Sequence, residues 1–176
     1  MSEHVICPGF SCNPKRETAP DLLGALFRRH RTDHHAGATE YYTDGCKDGG
    51  CVGSAAIGAN SIITRKLPPS ASIFTAELSG IIDALTIIRD GSNERSVIFV
   101  DSKSAIQVST QYDSSHPMIN RITGLLMKIA SRRKTVTICW CPSHVGIRGN
   151  ETADSEASEA AHSNKTADNI ASESSN

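Results

Sequence analysis

ICWCPSHVGIRGNETAD, residues 138–154, passes in one short run from an apolar segment through a hinged loop into a polar helix. Thr135 to Cys141 is apolar and aromatic and reads as a buried strand, with Cys139 and Cys141 on one face and Trp140 on the other. Pro142 cannot donate to a ladder and ends the strand, and Gly146 and Gly149 permit a sharp turn. In the segment that follows, Ala153, Ala157, Ala160 and Ala161 mark one face of a helix. His144 therefore sits on a glycine-hinged loop, with Asp154 about a turn into the helix behind it. A surface loop with an incidental histidine and a capping aspartate is the plain alternative. Partners elsewhere in the chain decide between the two.

Immediately upstream, His116-Pro117 starts a helix with Ile119, Ile122, Leu126 and Ile129 on one face. Its Arg132-Arg133-Lys134 end complements the helix dipole. Ser96–Val100 is a short apolar strand that ends in Asp101, and Ser102 caps the next helix. A strand, a carboxylate at its C-terminal end and then a helix is the α/β pattern whose sites gather at strand ends. Earlier, Phe74, Leu78, Ile81, Ile82, Leu85 and Ile88 form an amphipathic stripe capped by Ser72. Glu77 lies at the edge of that stripe, where a charge is costly unless something pairs with it. Tyr41-Tyr42-Thr43 is β-prone, and Asp44-Gly45 is expected to end that strand with a carboxylate at its tip. Cys51–Gly58 and Ser61–Leu67, joined around Ala59-Asn60, complete an antiparallel meander.

One domain fits 176 residues, since domains usually run to roughly 100–200 residues. A formal net charge of -1 provides no overall basic field, which argues against a tight, sequence-blind nucleic-acid binder. An enzyme that touches such a substrate locally is still allowed. Cys7, Cys12, Cys46, Cys51, Cys139 and Cys141 show no C-x2-C spacing and read as reduced, small apolar residues of an intracellular protein. No apolar run approaches a membrane span, and the N-terminus lacks a signal-peptide core. A soluble, intracellular protein is expected, with nucleus and cytoplasm both open.

The first 36 residues mix prolines, arginines and histidines. Cys7 and Cys12 are spaced C-x4-C, and His30 and His34 are spaced H-x3-H, so each pair fits half of a Cys₂His₂ zinc site. The stretch between the pairs is longer than a usual finger loop and carries Pro14 and Pro20. A short helix near Asp21–Arg29 in an otherwise irregular arm is the expected state. Beyond about His162 the tail is rich in Ser, Asn and Glu, a composition of disorder.

Asp44, Glu77, Asp101 and Asp154 thus stand at comparable places, three of them at junctions where α/β folds collect chemistry. Singly, each reads as a turn former, a dipole partner or a cap. Clustered carboxylates repel and are tolerated chiefly when a hard divalent cation neutralises them. Mg²⁺ takes oxygen ligands, and two such ions ~4 Å apart can activate a water and stabilise a leaving oxygen.

Four blocks carry a resemblance: Tyr42-Thr43-Asp44-Gly45, Thr75-Ala76-Glu77-Leu78, Val100-Asp101-Ser102, and the long run from Trp140 to Asp154. In this order and spacing they resemble the type 1 ribonuclease H domain, and are most similar to the ribonuclease H domains of non-LTR retrotransposons. The resemblance implies an α/β, RNase H-like fold, with a five-stranded mixed sheet (an antiparallel meander plus parallel strands) and helices on both faces. The resemblance covers roughly Glu40 to His162, and with the composition of the two ends it gives a domain at residues 37–162 between an irregular arm at 1–36 and a disordered polar tail at 163–176. It implies Mg²⁺-dependent hydrolysis of the RNA strand of RNA–DNA hybrids by two metal ions, with Mn²⁺ as a substitute, leaving 5′-phosphate and 3′-hydroxyl ends. By position, Asp44, Glu77, Asp101 and Asp154 become the metal ligands, and His144 assists proton movement or product departure. Asn150 and Glu151 match positions near the scissile phosphate, Gln107 one that contacts the minor groove, and Gly45 and Cys46 complete the substrate-binding set. Cys46 replaces the family's usual serine. The basic protrusion of some members is not evident, and only Arg132-Arg133-Lys134 offers a local patch, so weaker hybrid binding is expected. A monomeric domain is implied, with no membrane partner, in an element whose polyprotein carries a reverse transcriptase. A catalytically silent hybrid-binding remnant is the alternative; a lost carboxylate would support it, and none is lost. Integrases and resolvases share the fold but usually lack the His-x-Gly loop leading into Asn-Glu-x-Ala-Asp.

Overall fold

A computed structural model of the chain describes residues 19–109 and 115–163. Its elements run α1 (Pro20–His35), β1 (Thr39–Asp48), β2 (Cys51–Gly58), β3 (Ser61–Leu67), α2 (Ile73–Asp90), β4 (Arg95–Val100), α3 (Lys103–Ser109), α4 (Pro117–Ser131), β5 (Thr135–Trp140) and α5 (Arg148–His162). The sheet order is β3-β2-β1-β4-β5. β1–β2 and β2–β3 are antiparallel, and β1–β4 and β4–β5 are parallel. This is the mixed five-stranded sheet expected from the sequence. The β1–β2 turn is made by Gly49 and Gly50, with φ of 53° and 86°, the positive values that a two-residue hairpin turn requires.

Side-chain alternation divides the core in two. Tyr41, Ile98, Val100, Val136 and Ile138 face α2, α3 and α4, whose Leu78, Ile81, Leu85, Ile106, Ile122 and Ile129 are buried against them. Tyr42, Val97, Phe99, Cys139 and Cys141 face the other way and are covered by Phe27 of α1 and Ala153 of α5. The alanine face read from the sequence is buried, with Ala153, Ala157 and Ala161 at 0% exposure. Ser72 caps α2 by accepting from Thr75 N at 3.0 Å, and the His116 side chain caps α4 by accepting from Met118 N.

Three boundaries differ from expectation. β1 does not stop at Asp44-Gly45 but runs to Asp48, because Gly45 to Asp48 stay paired with β2 after the β1–β4 ladder ends at Thr43↔Val100. Asp44 thus marks the end of one ladder, not of the strand. β5 ends at Trp140, before Cys141. α1 continues past Arg29 to His35 and buries Phe27 and His35. Cys7, Cys12 and the tail beyond Ser163 lie outside the described residues.

The basic run after α4 closes that helix and ties it to α2. Arg133 takes φ 58°, its N–H reaches Ala130 O, and Lys134 N–H reaches Ile129 O, the paired bonds of a Schellman cap. Lys134 Nζ donates to the carbonyls of Ile88, Arg89 and Gly91 at the end of α2, and Arg132 to that of Arg89. Among the described residues no helix is long and apolar enough to cross a membrane.

Candidate active site

The parallel register Thr43↔Val100 puts the next residues, Asp44 and Asp101, side by side where the ladder opens. Asp44, two residues after Tyr42 in β1, shares its face of the sheet, since alternate residues of a strand point the same way. Glu77 reaches the two aspartates from α2, on the opposite face. Gly45 makes that approach possible: a Cβ there would lie 2.7 Å from Glu77 N and 2.9 Å from Ala76 Cβ. Any side chain at this position would push α2 away from β1.

One carboxylate oxygen from each of Asp44, Glu77 and Asp101 lies within 4.8 Å of the others. Asp44 and Glu77 are 6% and 8% exposed, so little water screens them. Burial, and then the charges of Asp44 and Asp101, push Glu77 up to about 9. Burial, and then Asp101, push Asp44 up to about 8, although Gly45 N–H donates to Asp44 Oδ1 at 2.8 Å. Asp101 is raised by burial too, while a hydrogen bond from Asn150 and the charge of His144 oppose the rise. Glu77 Oε2 is buried with no hydrogen-bond partner. The other buried acid of α2, Asp83, differs: Arg65 grips both its oxygens, at 2.6 and 2.7 Å. Glu77 alone of the pair is left facing other acids. Buried, mutually repelling oxygens with an unused lone pair are a donor set for a hard divalent cation.

Asp154 stands at the rim of this trio. It is exposed on α5 and hydrogen-bonded to Asp44. His144 is exposed on the β5–α5 loop at φ 57°, and Glu151 Oε1 braces that loop by accepting from Gly146 N at 3.1 Å. Asn150 is 2% exposed and hydrogen-bonded to Asp101. Cys46 is half-buried and hydrogen-bonded to Ser158 of α5. Gln107 is exposed on α3. A support that sequence reading missed is Trp140, whose Nε1–H donates to Asp101 O at 3.1 Å while Lys103 Nζ sits 4.3 Å above its ring. The strand pattern places Trp140 on a face, but nothing in it points at a backbone carbonyl just past the end of the neighbouring strand.

A family model described as RNase H matches residues 36–162. No curated protein matches the chain.

Proposed function

The chain belongs to the RNase H family, and on that premise we propose that it is an endoribonuclease that hydrolyses the RNA strand of RNA–DNA hybrids with two Mg²⁺ ions, leaving 5′-phosphate and 3′-hydroxyl ends. The observation that carries this reading is the buried trio Asp44, Glu77 and Asp101, with oxygens within 4.8 Å of one another. Asp44, Glu77, Asp101 and, at the rim, Asp154 would hold the metal, and the partnerless Glu77 Oε2 fits that role. All-oxygen donors favour Mg²⁺, with Mn²⁺ as a substitute. When bound, the metal supplies an ionised water and stabilises charge on the transferring phosphate.

The chain's own groups do the rest. Asn150, hydrogen-bonded to Asp101, would hold that carboxylate beside Asp44 and Glu77. Glu151 holds the loop that carries His144, and His144 would assist proton movement or product departure. Gly45 and Cys46, just beyond the end of the β1–β4 ladder, would lend their backbone to the substrate, and Gln107, exposed on α3, would supply a minor-groove contact. The long Trp140–Asp154 block supports an origin in a non-LTR retroelement, where a reverse transcriptase would accompany this domain.

The test is purified protein with Mg²⁺ and labelled hybrid, duplex RNA, duplex DNA and single-stranded RNA. Cleavage of RNA only in the hybrid is the expected result. Equal cutting of duplex DNA would sink the reading, and binding of hybrid without cleavage would identify a silent remnant.

A further inference from the structure

A second cluster of ligand-type side chains lies away from the acids, where α1 meets the sheet. Ligand atoms of His30, His35 and Cys139 all lie within 4.8 Å of one another, and all three residues are buried. Cys139 Sγ is 3.8 Å from His30 Nε2, and the two imidazole rings are 5.4 Å apart. His35 is 6% exposed, and its Nε2 has no hydrogen-bond partner. We propose that His30, His35 and Cys139 form a structural zinc site that fastens α1 to β5.

Tetrahedral zinc, with Zn–S near 2.3 Å and Zn–N near 2.0–2.1 Å, sets sulfur and nitrogen about 3.5 Å apart, and the observed separation is within a few tenths of that. His30 and His35 are spaced H-x4-H, inside the range that zinc modules use. The exposed His34, which the sequence pairs with His30, stacks on the His30 ring at 4.5 Å but is not in the cluster. A thiolate with two imidazoles prefers zinc to Mg²⁺, so this site would not compete with the carboxylates for the same ion. Simple packing explains the cluster poorly. A buried imidazole nitrogen left unpaired costs about 1–3 kcal/mol, and an apolar side chain would fill the space without that cost. The described residues supply three of the four positions of a tetrahedron. On binding, Cys139 Sγ–H gives its proton to solvent and the thiolate forms the bond to zinc, with no change of oxidation state.

The test uses the full chain purified without chelator. Equimolar zinc by mass spectrometry is expected, and cobalt added to the zinc-free protein should produce visible d–d bands and a near-ultraviolet thiolate charge-transfer band. Cys139→Ser should abolish that charge-transfer band. His35→Gln should weaken cobalt binding at least tenfold, since even supporting residues of metal sites cost about 10–100-fold. His34→Ala and Asp44→Asn should leave the spectrum unchanged, the latter separating this site from the acids. If Cys139→Ser does not fold, the cobalt spectrum of the unaltered chain and the loss of its thermal stability on zinc chelation still decide the matter. Absence of the charge-transfer band, its survival in Cys139→Ser, or unchanged binding in His35→Gln would overturn the site.

Discussion

Asp101→Asn separates a catalytic acid from a structural one. The change keeps shape but removes a negative oxygen from the trio. We expect turnover to fall by roughly 10²–10³ or more, equivalent to ~3–4 kcal/mol of lost transition-state stabilisation. Metal-free thermal stability should stay equal or rise slightly, because repulsion with Asp44 and Glu77 is relieved. Asp90→Asn, at an exposed acid paired with Arg89 and Arg132, is the control and should leave turnover intact. Near-full activity in Asp101→Asn would mean that the trio does not hold the metal. The same acids set a pH dependence. Asp44 and Glu77 are raised, so folding takes up protons between the ordinary carboxylate range near pH 4 and their folded values of about 8 and 9. Their contribution to metal-free stability is fully present below about pH 4 and is lost as pH rises through those values. Melting temperatures in chelator should therefore include a component that declines over this range, and Asp44→Asn with Glu77→Gln should flatten it. An identical slope in the double variant would assign the decline to other groups.

Between elements, the site depends on how closely α2 and β1 approach. Gly45→Ala places a Cβ 2.7 Å from Glu77 N, a backbone atom that cannot swing aside. Separation of the two elements should cost about 1–3 kcal/mol, and Glu77 should move off the trio. Activity should fall with stability in this variant, whereas in Asp101→Asn activity falls alone; a stable, fully active Gly45→Ala would show that the contact is slack. Arg65→Ala tests the other buried acid of α2, Asp83. It leaves Asp83, 3% exposed, without its partner and should cost about 1–3 kcal/mol of stability without touching turnover. Thermal melts beside single-turnover rates distinguish the two outcomes.

For the molecule as a unit, the question is what α1 contributes. Phe27 is fully buried and packs edge-on against Phe99 at 5.1 Å between ring centres, on the face of the sheet that α5 also covers. Phe27→Ala should cost about 3–5 kcal/mol, and a chain begun at Ala36 should lose more, although the family match itself begins there. Unchanged melting of the shortened chain would return α1 to the role of a detachable arm. Substrate affinity is also a property of the entire surface. With a net charge of -1, and with Arg132 and Lys134 engaged on the end of α2, few phosphates can be neutralised. The slope of log affinity against log salt should be shallow, on the order of -2 to -4. A much steeper slope would reveal a basic surface that the charge balance conceals.

Local chemistry makes much of this protein legible in its amino-acid sequence. Alternation and the alanine face mark the strands and α5, Ser72 and His116-Pro117 mark helix starts, and the order of Asp44, Glu77, Asp101 and Asp154 points to one site. Apart from that order, which is legible through the family resemblance, these signals are short-range: each is written within a turn or a strand of the residue concerned. Which of the four acids crowd together is not written there. Asp44, Glu77 and Asp101 form the tight trio and Asp154 its rim, a distinction made by the β1–β4 register and the absent side chain at Gly45. The same holds for the histidines. Helical spacing offers His34 to His30, yet burial against β5 selects His35 and brings in Cys139, more than a hundred residues away. Pairings across that distance depend on which faces the sheet buries, and no local pattern encodes that choice.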